Sequence, residues 1–123
     1  MSGRKSRDKG KRGEREVVQI LKSLGFDAKR RGQLQAGRED VPDVLAKNEY
    51  VALAIEVKFP KKLPAFVVGA MEQAEKASGY GFPVVFMREN RGRWYVMMTL
   101  SRFLWLIGKL AAVEEVENVS SER

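Results

Sequence analysis

Between Val51 and Phe59 the sequence VALAIEVKF alternates without interruption. Val51, Leu53, Ile55, Val57 and Phe59 fall on one side of an extended chain, and Ala52, Ala54, Glu56 and Lys58 on the other. Successive side chains of a strand point to opposite faces, so this segment predicts a strand with one bulky apolar face. The opposite face begins with two alanines, small enough for close packing. It then presents a carboxylate and an ammonium about 6–7 Å apart along the chain. Burying both charges without a use for them is costly.

Just upstream, Asp43 to Ala46 reads as a second strand, joined to Tyr50–Phe59 by a tight turn at Lys47-Asn48-Glu49. Such a hairpin brings Asp43 across from Glu56. Two carboxylates converging beside a lysine make a workable Mg²⁺ site, with hard oxygen ligands for the ion and Lys58 next to a substrate phosphate. Taken alone, Glu56 and Lys58 also fit an ordinary strand ion pair worth little. Glu14 adds an independent clue. It heads the stripe Glu14, Val17, Val18 and Leu21, which stand at i, i+3, i+4 and i+7 of a helix, so a carboxylate leads the core-facing side. Glu16 points away from that stripe.

Composition narrows the chemistry. The chain of 123 residues has no cysteine and no histidine, which excludes Cys-His and Ser-His-Asp catalysis, thiolate zinc sites and an imidazole proton shuttle. The remaining inventory of carboxylates, lysine, arginine and hydroxyls suits Mg²⁺ and phosphate chemistry. There are 23 Lys+Arg against 16 Asp+Glu, a formal charge of +7, which favours a polyanionic partner. The longest apolar run, from Phe103, falls far short of the roughly 20 residues needed to span a bilayer. The start of the chain carries no apolar leader, and the expectation is a cytoplasmic protein with no membrane partner.

Along the chain, residues 1–12 are basic and nearly devoid of apolar side chains, and predict a flexible arm. Residues 13–113 predict one domain and 114–123 a solvated, frayed acidic tail. Within the domain we expect a helix from Gly13 to Leu24 closed by Gly25, a short strand at Phe26–Arg31 and a polar loop over Gly32–Val41. The hairpin follows, then a helix from about Pro64 to Ser78, strands at Val84–Met87 and Arg93–Thr99 around a Glu89–Gly92 turn, and a helix from Ser101, its cap, to Val113. The order is α, β, β, β, α, β, β, α.

At this point the sequence resembles the archaeal-type Holliday junction resolvases of the PD-(D/E)XK nuclease superfamily. The resemblance rests on Lys9-Gly10, Glu14-Arg15-Glu16, Gly25-Phe26, Asp43-Val44-Leu45-Ala46 and Leu53-Ala54-Ile55-Glu56-Val57-Lys58, and covers residues 9–98. It implies an α/β, restriction-endonuclease-like core with a central mixed sheet of about five strands flanked by helices. It also implies a homodimer that introduces paired nicks across a four-way DNA junction. By position, the catalytic residues implied are Glu14, Asp43, Glu56 and Lys58. Asp43, Glu56 and the Val57 carbonyl would bind Mg²⁺, or Mn²⁺ in its place, with Glu14 completing the site or orienting water for a second ion. Arg15 and Arg30 match basic residues that hold DNA.

Lys9, Lys11, Arg12 and Arg15 on the first helix, with Arg30, Arg31 and Arg38 ahead of Asp43, are expected to flank this site and grip phosphates. Contacts of that kind position DNA without reading bases. Other readings of the same residues are a general repair, restriction or flap nuclease and a non-catalytic nucleic-acid-binding module. A protein of the membrane surface would need an apolar helical stripe in the basic arm, which has none.

Overall fold

The computed structural model describes the backbone of residues 2–34 and 40–121 and the side chains of 7–34 and 40–113. The chain divides into two compact units, Met1–Lys61 and Lys62–Arg123.

The first unit opens with helix α1, Ser2–Ser23. Val18 and Leu21 from its predicted stripe are buried, while Arg15 and Glu16 are exposed. Gly25 closes the helix at φ 90°. Its N–H donates to the Lys22 carbonyl and that of Phe26 to the Leu21 carbonyl, both at 3.0 Å. This is a Schellman cap, in which a left-handed residue satisfies the last open carbonyls of the helix.

Three antiparallel strands follow: β1 (Asp27–Arg30), β2 (Val44–Lys47) and β3 (Ala52–Ile55), in the order β1-β2-β3. A 3-10 turn, Arg31–Gln33, leaves β1. The predicted hairpin forms, with Lys47 opposite Ala52 and Val44 opposite Ile55. Asn48 organises its turn: the carboxamide oxygen accepts from the N–H groups of Tyr50 and Val51 at 2.8 and 2.9 Å. Val44 and Ala46 point into the core against Ala28, Phe26 and the α1 stripe, and Val44 is 0% exposed.

The second unit contains α2 (Ala65–Lys76), a 3-10 turn at Ser78–Tyr80, a hairpin of β4 (Val85–Met87) and β5 (Tyr95–Met97), and α3 (Leu100–Ser121). Pro64 occupies the N-cap of α2, where its missing N–H is not needed. In the β4–β5 turn the Gly92 N–H donates to the Glu89 carbonyl at 3.0 Å, and it is Arg91 that takes the left-handed conformation, at φ 61°. Arg102 donates to both carboxylate oxygens of Glu75, at 3.3 and 3.0 Å. Phe82 stacks on Trp105 with ring centroids 5.3 Å apart.

The element order is the predicted one, and the strands form two antiparallel sheets of three and two. Several boundaries differ. Residues expected to be a flexible arm are helical from Ser2, because Lys and Arg are good helix formers and Lys9, Arg12 and Gly13 rest on Phe59. The expected tail continues α3 to Ser121, with no glycine or proline after Gly108 to stop it. The helix also begins one residue before the expected cap. Thr99 takes that place, its carbonyl accepting from Phe103 N–H at 3.0 Å, and its hydroxyl pairs with that of Ser101 at 3.3 Å. Among the described residues, no helix is long and apolar enough to cross a membrane.

Candidate active site

Strand pairing between β2 and β3 stops at Val44 and Ile55, so Glu56, Val57 and Lys58 lie beyond the last paired residue rather than within a strand reaching Phe59. The reason is local. Pro42, which the register sets opposite Val57, has no N–H to give to the next rung, and Val57 N–H donates instead to the Asp43 carboxylate Oδ2 at 2.9 Å. A side chain replaces the next rung of the ladder. The alternation nevertheless continues: Val57 is half-buried, while Glu56 and Lys58 are exposed. Continuing the register by one step puts Asp43 opposite Glu56, a position in which antiparallel neighbours share a face with Cβ atoms about 4.5–5.5 Å apart.

Glu14 is half-buried one turn into the packed part of α1, where its carboxylate stands 3.9 Å from the Arg30 guanidinium at the end of β1. Its neighbour Gly13 is buried because a Cβ there would meet the Phe59 ring at 3.0 Å and the Val57 side chain at 3.4 Å. Helix α1 therefore approaches the 57–59 segment at backbone distance, immediately beside Glu14. Arg31 holds the other side of the acids. Its guanidinium donates to the Val41 carbonyl, from Nε at 3.0 Å and also from Nη2, and stands 3.8 Å from the Asp43 carboxylate. One run of contacts thus links Glu14 to Arg30, Arg31 to Asp43 and Asp43 to Val57. Among the described residues, no three acidic side chains are grouped as ligands of a single ion.

The basic residues divide by position. Lys11, Arg12 and Arg15 are exposed on α1 and Lys9 is half-buried there. Lys9 Nζ and Arg12 Cζ lie 5.0 and 5.6 Å from the centroid of the Phe59 ring. Arg30 and Arg31 are engaged with Glu14 and Asp43 as described. Arg38 lies outside the described residues.

Residues 5–122 match the family described as archaeal Holliday junction resolvase (Hjc). The chain belongs to that family. It is 31% identical over 111 residues to the crossover junction endodeoxyribonuclease Hjc of Archaeoglobus fulgidus, a match covering 90% of this chain and 76% of that protein. Over 53 residues it is 43% identical to the crossover junction endodeoxyribonuclease Hje of Sulfolobus acidocaldarius, covering 43% of this chain and 38% of that protein. The corresponding enzyme of Saccharolobus islandicus is 42% identical over 53 residues, covering 43% and 39%. No solved structure matches.

In this member of the resolvase family two contributors are missed by sequence reasoning. Helical periodicity makes Gly13 no more than a helix start, although a glycine beside a helical acid is a signal of close backbone approach. Strand alternation makes Phe59 the last residue of an apolar face, yet the residue is 43% exposed and its ring sits under two cations.

Proposed function

We propose that this chain is a structure-selective DNA endonuclease that resolves four-way junctions by paired, divalent-metal-dependent phosphodiester hydrolysis. The observation that carries this reading is the Asp43 carboxylate, accepting from Val57 N–H and opposed to Glu56, with Lys58 two residues further on. Relatives named crossover junction endodeoxyribonucleases support it. The reading includes a restriction-endonuclease-like core with a central mixed sheet of about five strands, for which five strands in the predicted order speak. It includes work on cytoplasmic DNA.

The donor chemistry fits a hard divalent cation, since the chain offers carboxylate and carbonyl oxygens and contains neither cysteine nor histidine. Asp43, Glu56 and the Val57 carbonyl would hold Mg²⁺, or Mn²⁺ in its place. When bound, the cation makes water a stronger nucleophile at neutral pH and offsets charge on the phosphate. Glu14, kept near Arg30, would complete the site or orient water for a second ion. Lys58 places its ammonium against the phosphate oxygens, where negative charge builds as the bond to the leaving oxygen breaks. Asp43 also acts on the backbone, because its hydrogen bond to Val57 holds the chain on which Glu56 and Lys58 stand.

Lys9, Lys11, Arg12, Arg15, Arg30, Arg31 and Arg38 would contact phosphates on either side of the cut, with affinity falling by a log–log salt slope of about −0.9 per phosphate neutralised. Paired cuts call for two active sites, hence a homodimer. The exposed Leu100, Trp105, Leu106 and Leu110 of α3 offer apolar surface for it.

The test is cleavage by the purified protein of a four-way junction, a flap and a linear duplex of matched sequence, with Mg²⁺. The proposal expects symmetric nicks in the junction and little cutting of the others. Equal cutting of all three overturns junction selectivity and leaves a general nuclease. Binding without any cutting leaves a nucleic-acid-binding module.

A further inference from the structure

Phe59 lies one residue beyond Lys58, yet it is neither buried nor free. The residue is 43% exposed, and its ring backs onto Gly13, where an added Cβ would meet ring carbon Cδ1 at 3.0 Å. Lys9 and Arg12, three residues apart on α1 and so on one helix face, bring their charged heads to 5.0 and 5.6 Å from the ring centroid. A solvent-exposed cation above a ring face is held only weakly, by a factor of about 2 to 5 per contact. Two cations sharing one ring, on the face of α1 that meets Val57 and Phe59, do not recur elsewhere among the described residues.

We infer that Phe59 is a positioning residue for DNA: it holds Lys9 and Arg12 at fixed places beside the Glu56-Val57-Lys58 segment so that they grip phosphates next to the scissile one. This rests on the nuclease reading and adds a residue to it. A free lysine or arginine gives up rotamer freedom when it binds a phosphate, whereas one already settled on a ring gives up less. The ring does not need to touch DNA for this. Because Gly13 and Phe59 are in contact, the cations keep their register with Glu14 as well as with Lys58.

The test uses the full chain with Phe59→Leu, which keeps an apolar side chain against Gly13 and removes the π face, and Phe59→Trp, which restores one. Junction affinity is measured across a salt series without divalent ion. Cleavage is measured in single turnover at saturating protein with Mg²⁺. The inference expects Phe59→Leu to weaken binding about 4- to 25-fold, from two contacts of the size given above. The salt slope should become shallower by about 0.9 to 1.8, one or two phosphates. Saturated cleavage should stay within about threefold and the melting temperature should hold, with Phe59→Trp recovering the affinity. In a cycle with Lys9→Ala/Arg12→Ala, the Phe59→Leu loss should vanish, since coupled residues are not additive.

Wild-type affinity and slope in Phe59→Leu overturn the inference. So does a loss that adds in full to Lys9→Ala/Arg12→Ala, and so does a weaker affinity with an unchanged salt slope, which marks base stacking instead. If Phe59→Leu lowers the melting temperature, Phe59→Met replaces it, and the same cycle decides. Wild-type protein that binds DNA in this manner but cuts none removes the nuclease reading, and with it the placement of Lys9 and Arg12 beside a scissile phosphate.

Discussion

The two units of this chain handle apolar surface in opposite ways. In the first, Val18, Leu21, Phe26, Ala28, Val44 and Ala46 are buried together, and the acids and cations stand around the rim of that core. In the second, Val67 and Pro83 are buried, while Phe66, Phe86, Trp94, Tyr95, Trp105 and Leu110 are among many large side chains that stay exposed. A site and its support need not be spread evenly along a chain. The first unit has its own packed scaffold for Asp43 and its neighbours, whereas the second carries surface that gains by being covered.

Substitution can undo that contrast. The largest stability effect is expected for Leu21→Ala, about 2–5 kcal/mol by chemical denaturation, since a nearly inaccessible leucine leaves a cavity. Leu110→Ala, with its side chain exposed, should shift the stability of the folded chain itself by no more than about 0.5 kcal/mol. Its effect is expected instead on self-association, seen as a protein-concentration dependence in sedimentation. Equal losses in both variants erase the distinction between the units.

Lys58→Met separates the rim of the first unit from its core. It removes an exposed charge and should leave the unfolding midpoint in place, while cutting the single-turnover cleavage rate about 10²- to 10³-fold, the range for losing one donor to developing charge. Unimpaired cleavage removes Lys58 from the site.

The smallest effect belongs to the second unit. The hydrogen bonds from Arg102 hold the Glu75 carboxyl below its ordinary value of 4.5, and the attraction of that cation adds to them. A depressed carboxylate contributes stability that is present above about 4.5 and is lost as pH falls through the lower folded-state value. The gap in denaturation midpoint between wild type and Glu75→Gln should therefore close below that pH, and a gap that widens there reverses the sign.

Features encoded by neighbouring residues were legible in the sequence. Gly25 ends α1 and Asn48 turns the hairpin because each acts within a few positions of itself. The hairpin of Val44–Lys47 with Ala52–Ile55 was legible too, since strand alternation and a short turn leave little choice of register. What depended on distant partners was not. The end of β3 is set by the Asp43 side chain taking Val57 N–H, and the support of α1 at Lys9 and Arg12 comes from a ring about fifty residues away. Periodicity within one segment carries neither fact. The arrangement of Arg31, at once on Val41 and close to Asp43, arises from tertiary folding in the same way.

Catalysis, as proposed, stands on the Asp43 carboxylate and its opposition to Glu56. Single-turnover cleavage of a four-way junction with Mg²⁺, by wild type, Asp43→Asn and Glu56→Gln side by side, probes that pair without an intermediary. We predict that each substitution slows cleavage by at least about 10³-fold while junction affinity stays within a few-fold of wild type. Cleavage by either variant at the wild-type rate would show that the chemistry runs without this pair.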